Sequence, residues 1–205
     1  GSEAFTECTQ LQTVYYHGTI EEWMTINSHS NPMSYAKYLY VLDENGEFVE
    51  PTELVIPEGT TEIREYLFQN FNSLRKVIFP SSLERIGYGN FEMNSKLEEV
   101  YFNGTLDEWL EVEISSWDYN PMSSAKRFYV LDENDNYYIP SDIVIKEGTT
   151  EIGYAKFANY KNLTSIELPS SLRSIRSEAF YECINLQSVY YHGTIEDWMK
   201  ISFES

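Results

Sequence analysis

Leu163-Thr164-Ser165-Ile166-Glu167-Leu168-Pro169-Ser170-Ser171-Leu172-Arg173-Ser174-Ile175-Arg176-Ser177-Glu178-Ala179-Phe180-Tyr181-Glu182-Cys183 is the stretch that decides the architecture. Ile166 and Leu168 alternate with polar residues, the period of a strand. The same stretch returns at a fixed step: Ile152, Phe157, Leu163 and Ile166 recur 23 residues later as Ile175, Phe180, Leu186 and Val189. Ile63, Phe68, Leu74 and Val77 recur at the same step as Ile86, Phe91, Leu97 and Val100. One coil of this length cannot bury its own apolar side, whereas coils stacked in register can, so a spacing kept by four apolar positions in two places predicts a solenoid.

Each coil carries a short strand at Leu74/Val77/Phe79, Leu97/Val100/Phe102, Leu163/Ile166/Leu168 and Leu186/Val189/Tyr191, with degenerate strands at Leu54/Ile56 and Ile143/Ile145. Together with the strand at Val14, this gives seven strand-bearing turns in a parallel ladder. A longer repeat overlies the short one. Residues 2–26 return almost verbatim at 177–201, and a looser copy around Leu97–Trp109 lies between them. Two insertions, at about 18–50 and 104–139, interrupt the coils. Each opens on a capping-box spacing (Thr19/Glu22, Thr105/Glu108) that predicts a short helix. It docks Trp23 or Trp109 on the solenoid edge. Each then closes on a hairpin, with Asn45-Gly46 at the first turn and Asn134-Asp135 at the second, where the exchange of Gly for Asp predicts a different turn type.

The quoted stretch resembles the BspA-type leucine-rich repeat, whose pattern is an L-x-x-I-x-I-P strand, an apolar-x-x-I turn and A-F-x-x-C. The resemblance covers the chain apart from the two insertions. It implies an α/β fold, a right-handed leucine-rich-repeat solenoid with short parallel strands and, here, inserted helix–hairpin cassettes. Members are mostly cell-surface or secreted proteins, and several are implicated in adhesion to host proteins or cells. The Cys position departs from the pattern, reading Cys8, Phe71, Asn94, Tyr160 and Cys183. Residues 1–205 read as one solenoid domain. The first turn is entered part-way and no polar capping repeat is visible, so a fragment of a longer array is expected, with strand edges open to end-to-end self-association.

Composition bounds the partners. With 14 Lys and Arg against 33 Asp and Glu, the net charge is −19. That disfavours nucleic acid and anionic membranes, which both bind through basic side chains. No run approaches the roughly 20 apolar residues of a membrane span, and no signal-peptide pattern is visible.

Several residues invite chemistry, and each has a plainer reading. Cys8 and Cys183 sit in the first and last turns, too far apart for a disulfide, and read as two small buried hydrophobes. His17 and His192 share a position that holds Asn103 in the middle copy, so a turn-capping role is preferred to catalysis; His29 stands alone. The pairs Glu21/Glu22, Asp107/Glu108 and Glu196/Asp197 suggest a glycosidase, but acids in a first helical turn complement the helix dipole and recur in every copy. Asp132–Asn136 resembles the start of a calcium loop without its glycine or closing glutamate. Asn103 and Asn162 begin formal glycosylation sequons. No cofactor or metal site is expected.

What remains is a surface. The strand positions pointing outward form the column Tyr15, Val55, Ile78, Tyr101, Val144, Glu167 and Tyr190, with Thr13, Lys76, Glu99, Ser165 and Ser188 beside it. Tyrosine beside aliphatics on a strand face is the composition of a recognition surface. The reading is a non-catalytic adhesion module for protein or glycan, with a passive spacer as alternative and a carbohydrate-active enzyme as a remote one. Two arrangements suit the column: left bare, or covered by the insertions.

Overall fold

Short extended segments become strands here because each finds an identical neighbour one coil away. The structure is a computed structural model that describes residues 4–26, 31–115 and 120–204. The first unit contains β1 (Thr13–Tyr15), helix α1 (Ile20–Thr25), β2 (Tyr38–Leu42) and β3 (Phe48–Val49). The second runs through β4 (Glu53–Val55), β5 (Glu62–Ile63), β6 (Lys76–Phe79), β7 (Arg85–Ile86), β8 (Glu99–Phe102), α2 (Leu106–Glu111), β9 (Glu113–Ile114), β10 (Arg127–Leu131) and β11 (Tyr137–Tyr138). The third holds β12 (Asp142–Val144), β13 (Glu151–Ile152), β14 (Ser165–Leu168), β15 (Ser174–Ile175), β16 (Ser188–Tyr191), α3 (Ile195–Trp198) and β17 (Ser202–Phe203).

The main ladder is parallel, in register and broken twice: β1-β2-β3, then β4-β6-β8-β10-β11, then β12-β14-β16. A second line of two-residue strands, β5-β7-β9 and β13-β15-β17, closes the other side. Val77 pairs with Val100 and Ile63 with Ile86, one repeat apart. Inward residues meet like on like. Phe157 stacks on Phe180 at 5.5 Å and 11°, Phe68 lies 5.7 Å from Phe91, and Leu74 and Leu97 are both buried. One core cluster runs from Trp23 to Ile201. Full burial of each such side chain is worth about 2 kcal/mol before entropy is counted.

The cassettes differ from the sequence expectation. Tyr38 pairs in parallel with Thr13, and Arg127 with Glu99. The first strand of each hairpin is therefore a rung of the ladder, and only β3 and β11 turn back antiparallel. Seven rungs become nine among the described residues. The coil from Glu99 to Arg127 is a longer coil whose helix replaces the short Pro80–Glu84 link of an ordinary one, and the antiparallel strand then ends the sheet. Both turns at the hairpin tips share one geometry, against the expectation. Gly46 and Asp135 both take positive φ (80° and 59°) and close on Asp43 and Asp132 with the same bonds. Asp tolerates the left-handed region well enough for the geometry to survive the exchange.

Thr19 and Thr105 each complete a capping box, with Glu22 and Glu108. The Cys position has a structural meaning. Asn94 Nδ2 donates to the Phe68 carbonyl at 3.0 Å and Cys183 Sγ to the Phe157 carbonyl at 2.9 Å, so either side chain ties one coil to the one before. Tyr160 reaches Pro140 O at 2.6 Å instead. Cys183 is half-buried, but Cys8 is exposed, correcting the expectation for it, because no preceding coil among the described residues covers it. Among the described residues no helix is long and apolar enough to cross a membrane.

Candidate functional site

Alternation along each strand points one residue inward and the next out. In β6, Val77 and Phe79 are buried and Ile78 faces solvent. Pairing register sorts the outward column into three segments: Tyr15 beside Tyr40; Val55, Ile78, Tyr101 and then Tyr129; Val144, Glu167 and Tyr190. Tyr15, Val55, Val144 and Tyr190 are bare, 50–62% exposed, while Ile78, Tyr101 and Glu167 are half-buried.

The cassettes extend this face instead of folding over it. Tyr40 stacks on Tyr15 at 5.0 Å and 14°, and Phe48 meets Tyr15 edge-on at 5.3 Å. The second copy repeats the arrangement more tightly: Tyr129 on Tyr101 at 4.3 Å and 7°, with Tyr137 edge-on at 4.9 Å. Offset or edge contacts of this kind are worth about 1 kcal/mol beyond burial. Tyr40, Phe48, Tyr129 and Tyr137 escaped the sequence reading. Tyr38-Leu-Tyr40-Val and Arg127-Phe-Tyr129-Val carry the same apolar–Tyr–apolar signal as β1 and β8, but sat in segments read as insertions.

Electrostatics along the middle segment are self-contained. Lys76 pairs with Glu53 at 3.0 Å and Arg127 with Glu99 at 2.7 Å, so the flanking column alternates in sign and neutralises itself. Lys76 Nζ also lies 5.0 Å from the Tyr101 ring centre. Burial, reinforced by the charge of Glu99, pushes the Tyr101 hydroxyl up to about 12. Glu50 does the same, in direction, for Tyr40. The middle segment is aromatic, its flanking charges are paired, and Tyr101 stays protonated across the physiological range.

The other candidates resolve into local structure. His17 lies edge-on to Phe48 at 5.0 Å, and His192 Nε2 bonds Glu167 Oε2 at 2.8 Å, while Asn103 bonds Glu58 and Tyr137. These residues brace the ladder edge, correcting the turn-capping expectation. His29 lies outside the described residues. Glu22, Glu108 and Asp197 are tied to the N-cap threonines. Asp132 spends one carboxylate oxygen on the Asn134 and Asn136 amides, which hold its carboxyl below the usual range. Thr105 and Thr164 of the sequons are both engaged in side-chain hydrogen bonds. Among the described residues no group of three or more His, Cys, Asp or Glu could hold a metal ion.

The pattern of the family described as BspA type leucine rich repeat region matches six copies over residues 47–115 and 136–205, most of the chain. No curated protein matches in sequence. Among solved structures, a leucine rich cell surface protein from Faecalibacterium prausnitzii is 22% identical (TM-score 0.38), matching 94% of this chain and 51% of its own. A leucine-rich repeat protein from Bacteroides ovatus is 20% identical (TM-score 0.38; 98% and 58%), and the T. pallidum leucine rich repeat protein 19% (TM-score 0.41; 82% and 83%). The chain thus spans about half the length of the first of these.

Proposed function

The chain belongs to the BspA-type leucine-rich repeat family, and on that premise we propose that it is a non-catalytic, cell-surface or secreted binding module of adhesion type. It is one right-handed solenoid domain, and its helix–hairpin cassettes lengthen the binding face. The ligand is a protein or glycan gripped by the outward column. One observation carries this reading: Tyr15, Val55, Val144 and Tyr190 stand bare on the strand face of a chain whose net charge is −19. A fold that only needed a core would place polar residues there. Repeat proteins bind on such continuous sheets because every rung presents a side chain at a fixed spacing.

The spacer reading draws support from the middle segment, where Tyr101 is half-buried and the flanking charges are paired. The test separates the two. The chain and its Tyr15→Ala/Tyr190→Ala variant are applied to arrays of extracellular-matrix proteins and glycans, with circular dichroism confirming both folds. Binding by the parent and at least tenfold weaker binding by the variant support the module. Binding by neither supports the spacer. Turnover of chromogenic glycosides would overturn both.

A further inference from the structure

Helix α1 ends with carbonyls that have no partner inside the helix. Glu22 O accepts from Thr25 Oγ1 at 2.7 Å and Trp23 O from the Ile26 amide at 3.0 Å. Met24 O and Thr25 O accept from one guanidinium nitrogen of Arg64, at 3.3 and 3.2 Å. Arg64 comes from the next unit, so its side chain closes the first junction.

The second junction is built from the same parts with that side chain missing. The counterpart of Arg64 is Gly153, and a Cβ there would meet only Lys156 Cε, at 3.5 Å. Trp109 O and Val112 O are taken by Lys156. Leu110 O and Glu111 O, the counterparts of the two carbonyls held by Arg64, receive no side-chain donor among the described residues. Where the first junction leaves about 260 Å³, the second opens to about 810 Å³ between α2 and the coil at Glu151–Lys156, a size suited to a ligand. Carboxylates stand round it: Glu111 and Glu113 on the α2–β9 side, and Glu151 and Glu204, which hold Arg176 between them at 3.0 and 2.9 Å.

We propose that this cavity is a receptor for a guanidinium group, an arginine side chain presented by a partner protein, which takes the place that Arg64 fills in the first junction. Three features favour that occupant. The counterpart carbonyls, Met24 O and Thr25 O, show the fit by sharing one guanidinium nitrogen of Arg64, at 3.3 and 3.2 Å. Five carboxylates line the cavity against Lys146, Lys156 and Arg176, and that excess together with the −19 net charge attracts a cation. Gly153 leaves the entrance clear. Lys156 is the opposing element, since its ammonium sits at the same helix end and competes for it. The site is separate from the strand face, and it stands or falls independently of that reading.

The test titrates the full chain, followed by amide shifts in NMR, with Nα-acetyl-arginine amide, its lysine analogue and the uncharged citrulline analogue. Saturable shifts confined to residues 110–114 and 151–156 are expected with arginine by about 10 mM. Lysine should bind at least about tenfold more weakly, because its ammonium is more strongly hydrated and loses more on entering the cavity, and citrulline not at all. Gly153→Arg should abolish the response by filling the cavity from within. Gly153→Leu provides the same block by bulk alone should the first variant fail to fold. Lys156→Leu should tighten binding several-fold. Absence of saturable shifts, an equal response to lysine, or a response that survives in a folded Gly153 variant would overturn the proposal.

Discussion

The first and second junctions join successive units with the same tools and differ in where the cation comes from. In both, a tryptophan from the short helix is buried, Trp23 at 5% and Trp109 at 1% exposure, and an asparagine, Asn31 or Asn120, donates to a backbone carbonyl of the next unit, Tyr66 or Ala155. In both, one cation closes the helix C-terminus, where the dipole and the orphan carbonyls favour it. Arg64 does this from the rim, with Leu67 beneath it; Lys156, the counterpart of Leu67, does it from within, with Gly153 at the rim. What is kept is a side-chain nitrogen that donates to the carbonyls at that helix end. The position supplying it can move, and moving it inward converts a filled joint into an open one.

The largest expected effect sharpens this comparison at its apolar centre. Trp109 packs against Phe79, Phe102 and Phe128, whereas the rings that Trp23 meets among the described residues are Tyr16 and Phe71, and it donates to Leu67 O at 3.4 Å. Trp109→Ala should cost about 4–5 kcal/mol in urea denaturation and Trp23→Ala about 3 kcal/mol.

Next comes the buried cation. Desolvation pushes Lys156 down from 10.5 to about 8, although Glu111 and Glu113 pull the other way. In the unfolded chain it holds its proton up to 10.5, so between pH 8 and 10.5 the unfolded state binds more protons. Stability should therefore climb with pH through that window, by about 3 kcal/mol at most. The rise should vanish in Lys156→Leu, measured by denaturation at pH 7.5 and 9.5. A stability curve in the parent chain that is flat or falling over that window would contradict the assignment.

The smallest effect concerns backbone strain. Met93 adopts φ 60° at a position where its counterparts Asn70 and Asn159 do the same with a side chain that tolerates it. Met93 is also exposed, so Met93→Asn should stabilise by about 0.5–1 kcal/mol, read as a small rise in Tm.

Much of the fold was legible because a stacked coil leaves little freedom. Leu74 and Leu97 must fall on the same rung, so the 23-residue step is written directly into the apolar positions. The cassettes were less legible for the same reason. Tyr38–Leu42 and Arg127–Leu131 pair 25 and 28 residues after their neighbours, and a strand off the main period reads as an insertion even when its alternation is intact. Tyr40 and Tyr129 were lost from the candidate face by that route. The Cys8 misreading had another source, since burial of that position depends on the coil before it and not on the residue. Gly153 and Lys156 carried no signal at all. Each looks ordinary until the helix ending at Glu111 is seen to arrive beside them, a contact between residues more than 40 positions apart.

If the two junctions are one joint closed from alternative positions, the closures can be exchanged. A double-mutant cycle on Gly153→Arg and Lys156→Leu, followed by denaturation at pH 7, tests this most directly. The double variant rebuilds the first junction inside the second. The expected result is a double variant more stable than either single, with a favourable coupling of about 1–3 kcal/mol. Strict additivity, or a double variant less stable than Lys156→Leu alone, would contradict the equivalence of the two joints.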